Sequence, residues 1–126
     1  MADSPSTIRP LIVKITCGTE ELERLNQGLT VAATALAAGA EVGLWLTGEA
    51  TWLAVPGRAE DLALPHGAPV ADLRDALLAG ATVTVCAQGA ARRDLAPGDL
   101  LPPATIRGAA AYVEEILRPD VQAIVY

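Results

Sequence analysis

A chain of 126 residues is long enough to bury a continuous core without disulfide staples, and it suits a single domain over residues 1–126 with a flexible tail at 1–7. A formal net charge of -6 excludes nucleic acid and anionic lipid as expected partners, since both are recognised through clustered Lys and Arg. Apolar residues make up 52% of the sequence although Phe is absent, a surplus that subunit contacts would absorb.

The first ten residues lack a basic segment followed by an apolar run, so no export is expected. The longest weakly polar run, residues 29–40, is alanine-dominated and well short of the roughly 20 residues that cross a bilayer, which predicts no membrane association. Two cysteines in such a chain read as reduced thiols of a cytoplasmic protein rather than as a structural bridge.

In chain order, residues 11–16 form a first strand whose nearly unbroken apolar character fits a sheet covered on both faces. Cys17, Gly18 and Thr19 make the turn. Glu20, Glu21 and Glu23 then load the start of a helix with acid, and Leu22, Leu25, Leu29 and Leu36 give it an apolar stripe over residues 20–38 before Gly39 stops it. A second strand at 41–47 makes this a βαβ unit with parallel strands. Residues 48–55 allow a short helix, ended by Pro56 and Gly57, and the loop that runs on to Pro69 is long enough to serve as a cover over the functional crevice or as a subunit contact.

Val70, Leu73, Leu77 and Leu78 restore the helical period between Pro69 and Gly80, and a third strand at 81–87 carries Cys86 at its exit. Residues 96–103 are punctuated too heavily for a regular element. A brief strand at 104–106, a helix over 108–118 with Tyr112, Val113, Ile116 and Leu117 on its apolar side, and a last strand at 121–126 complete the series.

No phosphate-binding glycine loop, Walker lysine or nucleophile elbow is present, so no organic cofactor is expected. One His and two separated Cys fall short of the usual four zinc ligands, so no metal is expected either. The chemistry therefore centres on Cys86. A β-branched run, Thr82 to Val85, leads into it and an Ala-rich run ending in Arg92 and Arg93 leads out, placing the thiol between a strand exit and a helix start. Such a junction is where a reactive thiol is expected, yet free cysteine is also among the most buried residue types, so the local residues leave packing and chemistry both open. Among the remaining candidates, His66 reads as an exposed imidazole that reaches the crevice only if its loop folds over, and Trp45 and Trp52 read as core or interface aromatics. Lys14 is placed equally well at an edge, in the crevice or in a buried pair.

The segment Val83-Thr84-Val85-Cys86, with Arg92-Arg93 beginning six positions after the cysteine, resembles the DsrE/DsrF-like family of intracellular sulfur-relay proteins, which includes the TusD subunits. The likeness extends to the opening strand and small-residue turn, the Ala-rich helix, Trp45-Leu46-Thr47-Gly48-Glu49, and the closing Gly108-Ala109-Ala110 helix before the last strand. It implies a flavodoxin-like three-layer α/β domain with a mostly parallel five-stranded sheet in the order 2-1-3-4-5. It further implies a sulfurtransferase in the sense of a carrier: Cys86 accepts sulfane sulfur as a persulfide from a donor protein and passes it to an acceptor, within a homo-oligomer, a trimer or hexamer. Gly18, Thr19, Ala87, Gln88, Gly89 and Arg92 are the expected substrate-binding positions. Many relatives carry a second cysteine three positions on, where this chain has Gly89, so a local dithiol is excluded. With strands one and three as neighbours about 4.8 Å apart, Cys17 is the candidate second thiol, resolving or relaying. Two further readings stay open: a thiol-redox protein using Cys86 with Cys17, and a non-catalytic binding or assembly protein in which Cys86 is buried.

Overall fold

β-Branched and leucine-rich runs flanked by turn residues become the strands of one sheet in the computed structural model, which describes residues 8–126; the expected tail at 1–7 lies outside the described residues. The strands are β1 (Leu11–Ile15), β2 (Val42–Leu46), β3 (Thr82–Cys86), β4 (Thr105–Arg107) and β5 (Gln122–Val125). The helices are α1 (Leu22–Ala37), α2 (Val70–Gly80), α3 (Ala87–Arg92) and α4 (Ala109–Ile116). A short 3-10 turn, Thr19–Glu21, precedes α1, and a longer 3-10 segment, Gly48–Ala54, follows β2. All ladder pairings are parallel, so the carboxyl ends of all five strands share one edge of the sheet.

The expected α/β class and five-stranded parallel sheet are thus present, but the strand order is β4-β3-β2-β1-β5 and not 2-1-3-4-5. β1 pairs with β2 and β5, and β2 separates it from β3. The chain steps outward strand by strand through β4, the usual preference of consecutive elements for adjacency, and only the connection through α4 returns across the sheet to lay β5 beside β1.

Alternation along the strands sorts side chains between the two faces. Val13, Ile15, Leu44, Leu46, Val83 and Val85 join Leu25, Leu29, Val70 and Leu77 of α1 and α2 in the principal core. The opposite face is more polar. There Trp45, 2% exposed, meets the Tyr112 ring of α4 edge-on at 5.2 Å and donates from Nε1 to Glu115 Oε1 at 3.0 Å. Lys14 lies on this face too, with Nζ 4.8 Å above the Tyr112 ring, so a cation-aromatic contact holds it instead of a buried carboxylate. Burial pushes the Tyr112 hydroxyl pKa up.

The long loop is tied down at both ends. Arg74 of α2, 5% exposed, donates from both terminal nitrogens to the Glu60 carboxylate at 3.2 and 2.7 Å, and Asn26 of α1 donates to the Ala68 carbonyl at 3.1 Å. Leu64 to Gly67 therefore run along α1. His66 is exposed with φ +66° and faces Glu23, Arg24 and Thr30 of that helix, not Cys86.

Candidate functional site

Cys86 is the last residue of β3 and immediately precedes α3, half-buried at the carboxyl edge of the sheet. Because Val83 and Val85 point into the principal core, alternation turns Thr84 and Cys86 to the other face. The ladder partner of Cys86 is Arg107 of β4. That guanidinium is drawn back along the sheet: it pairs with Glu115 at 2.6 Å, donates to Thr84 Oγ1 at 2.8 Å, and stacks 5.2 Å from the centre of the Trp45 ring. Sequence reading missed Arg107, whose proximity arises only from strand pairing.

Of the expected binding positions, Ala87, Gln88 and Gly89 form the first turn of α3 beside Cys86, with Gln88 exposed, Ala87 half-buried and Gly89 buried. Arg92 is exposed in the last turn of α3. Its neighbour Arg93 is committed elsewhere: Nη2 and Nε donate to Glu49 Oε2 at 2.9 and 3.2 Å, and Nη1 donates to the Gly89 carbonyl at 3.1 Å. Glu49 also accepts from Trp52 Nε1 at 3.1 Å, and the hydrogen bond from Arg93 leads the causes that hold its carboxyl below the usual range. A carboxylate of the 3-10 segment thus pins α3 across the carboxyl edge. The Trp45 to Glu49 segment belongs to the resemblance, but its tie to Arg93 spans 44 positions and has no local signature.

Gly18 and Thr19 fall into a different place. With Glu49, Trp52 and Arg58 they line a cleft of 120 Å³ above β1 and β2, roofed by Arg58 stacked 3.8 Å from the Trp52 ring centre. Gly18 is needed there, because a Cβ would lie 2.8 Å from the Glu49 carbonyl oxygen. The 3-10 segment stands between this cleft and the Cys86 turn, touching Gly18 on one side and Gly89 on the other. The expected binding residues therefore form two groups.

Cys17 requires a correction. Its strand is not adjacent to that of Cys86, since β2 intervenes, which separates the strand axes by about 9.6 Å, beyond the roughly 7 Å between Cα atoms that a disulfide spans. Cys17 is 4% exposed, packs in the principal core on the other face, and directs its sulfur toward the Glu21 carbonyl at 3.9 Å. Burial first, and the Glu20 carboxylate second, push its thiol pKa up. The geometric premise of a Cys17–Cys86 pair is absent.

Among the described residues no cluster of three or more His, Cys, Asp or Glu side chains is placed to hold a metal ion, and no helix is long and apolar enough to cross a membrane.

A family model described as the DsrE/DsrF-like family matches residues 11–121. Among solved structures, the chain is similar to the YchN protein from E. coli, with a TM-score of 0.78 and 15% identity over 94% of this chain and 100% of that one. It is also similar to a protein of unknown function from Methanobacterium thermoautotrophicum, with a TM-score of 0.63 and 9% identity over 94% of this chain and 99% of that one. At these identities the structures speak for the fold alone. A comparison with curated protein sequences gives no significant match.

Proposed function

Because the chain belongs to the DsrE/DsrF-like family, we propose that it is a sulfur-relay protein in which Cys86 carries sulfane sulfur as a persulfide between a donor and an acceptor protein. The observation that carries this reading is the place of Cys86: half-buried at the carboxyl edge of a parallel sheet, the edge where such folds put their chemistry. Cys17, by contrast, is enclosed in the core. The Cys86 thiolate attacks the outer sulfur of a donor persulfide, the donor sulfur–sulfur bond breaks, and the donor leaves as a thiolate. A second attack, by an acceptor thiolate on the sulfur now carried by Cys86, returns Cys86 to its starting state.

Gln88 and Arg92, exposed on α3, are proposed to meet the donor and acceptor, and Arg92 supplies positive charge for an anionic persulfide. Persulfide chemistry suits a reducing cytoplasm, the compartment proposed here. A homo-oligomer is proposed through α4 and β5, where Val113, Leu117, Ile124 and Val125 are 44%, 75%, 38% and 60% exposed.

Incubation with a low-molecular-weight persulfide, followed by intact-mass spectrometry, tests the reading. The wild type should gain one sulfur atom that dithiothreitol removes, and Cys86→Ser should gain none. A wild type that stays unmodified, or a Cys86→Ser variant that loads as well, defeats it.

A further inference from the structure

We propose that Thr51 reserves position 89 for glycine, by occupying the space that any side chain there would need, so that no second thiol is accommodated three residues beyond Cys86 and sulfur held on Cys86 leaves only to another molecule. The second half of this statement rests on the sulfur-carrier reading; the first half does not.

Position 89 lies three residues beyond Cys86, in the first turn of α3. Residues three apart on a helical turn have Cβ atoms about 5–6 Å apart, close enough for small adjustments to join two thiols, as in C-x-x-C redox pairs. Position 89 is the site in α3 that corresponds to such a pair. It is closed. An ideal Cβ at Gly89 would lie 2.9 Å from Thr51 Oγ1, inside the 3.0 Å that real Cβ contacts essentially never breach, with Arg93 Nη1 3.7 Å away.

The obstacle is a buried side chain, not the free end of a flexible one. Thr51 is 0% exposed in the 3-10 segment beneath α3, and its branched Cβ restricts it to few rotamers. Among the described residues its hydroxyl has no hydrogen-bond partner. Cys17, the other thiol, is closed off by the intervening strand and by burial on the opposite face.

The chemical consequence is specific. A thiolate at position 89 would attack Cys86 Sγ, break the persulfide sulfur–sulfur bond, form an intramolecular disulfide, and expel the sulfane sulfur with the bond's electron pair as hydrosulfide. With no thiol at position 89, the outer sulfur departs only when an acceptor thiolate from another molecule attacks it, forming the acceptor persulfide and freeing the Cys86 thiolate.

The test compares wild type, Gly89→Cys and the double variant Thr51→Ala/Gly89→Cys. In one arm the reduced proteins are oxidised with diamide, and formation of a disulfide between Cys86 and the introduced thiol is followed by intact mass. In the other they are loaded with inorganic polysulfide, desalted, and monitored for hydrosulfide release. Disulfide formation and release in the double variant should be at least tenfold faster than in Gly89→Cys, while the loaded wild type holds its sulfur. Equal rates in the two variants, or no disulfide in a folded double variant, overturn the assignment of Thr51. A wild type that takes up no sulfur defeats the carrier reading, whereas the diamide arm still decides the role of Thr51. Alanine at 89 gives the same contrast without any thiol. Thr51→Ala/Gly89→Ala should melt above Gly89→Ala, and equal or reversed melting contradicts the steric block.

Discussion

Burial decides which of the two thiols is available. Cys17 is enclosed in the core and Cys86 is half-buried at the sheet edge. In the folded protein Cys86 should react with iodoacetamide directly, while Cys17 reacts only after local opening. An opening cost of about 3 kcal/mol slows the buried thiol roughly a hundredfold. Peptide mapping of a timed alkylation checks this, and comparable labelling of both cysteines would contradict the burial described for Cys17. The ion pair that anchors the long loop makes a second residue-scale prediction. Hydrogen bonds from Arg74 to the Glu60 carboxylate, with a smaller contribution from the Ala59 amide, hold the Glu60 pKa at about 2 in the folded protein, against 4.5 for the free side chain. A carboxyl depressed on folding stabilises the fold above its unfolded pKa and loses that contribution as pH falls through the folded value. The loss attributable to this pair should therefore run from about pH 4.5 down to about 2. Thermal melts of wild type and Glu60→Gln across that range test it: the gap between their midpoints should close as the pH falls, and a constant gap would assign the difference to something else.

At the scale of elements, the 3-10 segment after β2 organises the carboxyl edge, separating the Gly18 cleft from the Cys86 turn and sending Glu49 to Arg93. Its first residue, Gly48, has φ +53°, and a Cβ there would come within 2.5 Å of the Thr16 carbonyl oxygen. Gly48→Ala meets both backbone strain and a clash with main chain that cannot swing away. The variant should lose about 1–3 kcal/mol of stability in urea denaturation, and a neutral result would mean that the segment shifts freely. The individual elements are legible in the sequence because each carries its own period and punctuation: the Leu25–Leu29 stripe with Gly39 beyond it, Pro69 before Val70, and the β-branched run into Cys86. Pairing between elements is not legible in the same way. Strand order depends on which way each crossover packs, and nothing local to β3 says that β2, and not β1, lies beside it. The expected partnership of Cys17 with Cys86 falls with that order. Arg107 opposite Cys86 and Arg93 on Glu49 are unreadable for the same reason, being contacts made by folding across long separations.

For the whole molecule, the two faces of the sheet are unequally covered. α1 and α2 close one face over the principal core, while the other has α4, none of whose residues is fully buried. The sheet ends on β5, an uncharged edge strand exposed along its whole length, whereas the opposite edge strand, β4, is shorter and carries Arg107. Unguarded edges of this kind are uncommon in free monomers. The proposed homo-oligomer covers this surface, so light scattering on the eluting wild type should give a multiple of 13.0 kDa. Val125→Lys, placed on an exposed side chain of β5, should shift the population toward monomer with little change in the melting of the monomeric unit. A monomeric wild type would remove oligomerisation from the account.

The sulfur-carrier claim reaches its most direct test in one measurement: the position of added sulfur in wild-type protein loaded with a persulfide donor, read by alkylation under native conditions and peptide mass mapping. The account predicts one extra sulfur on the peptide that contains Cys86 and none on the peptide that contains Cys17. Sulfur on the Cys17 peptide, or on neither, would contradict it.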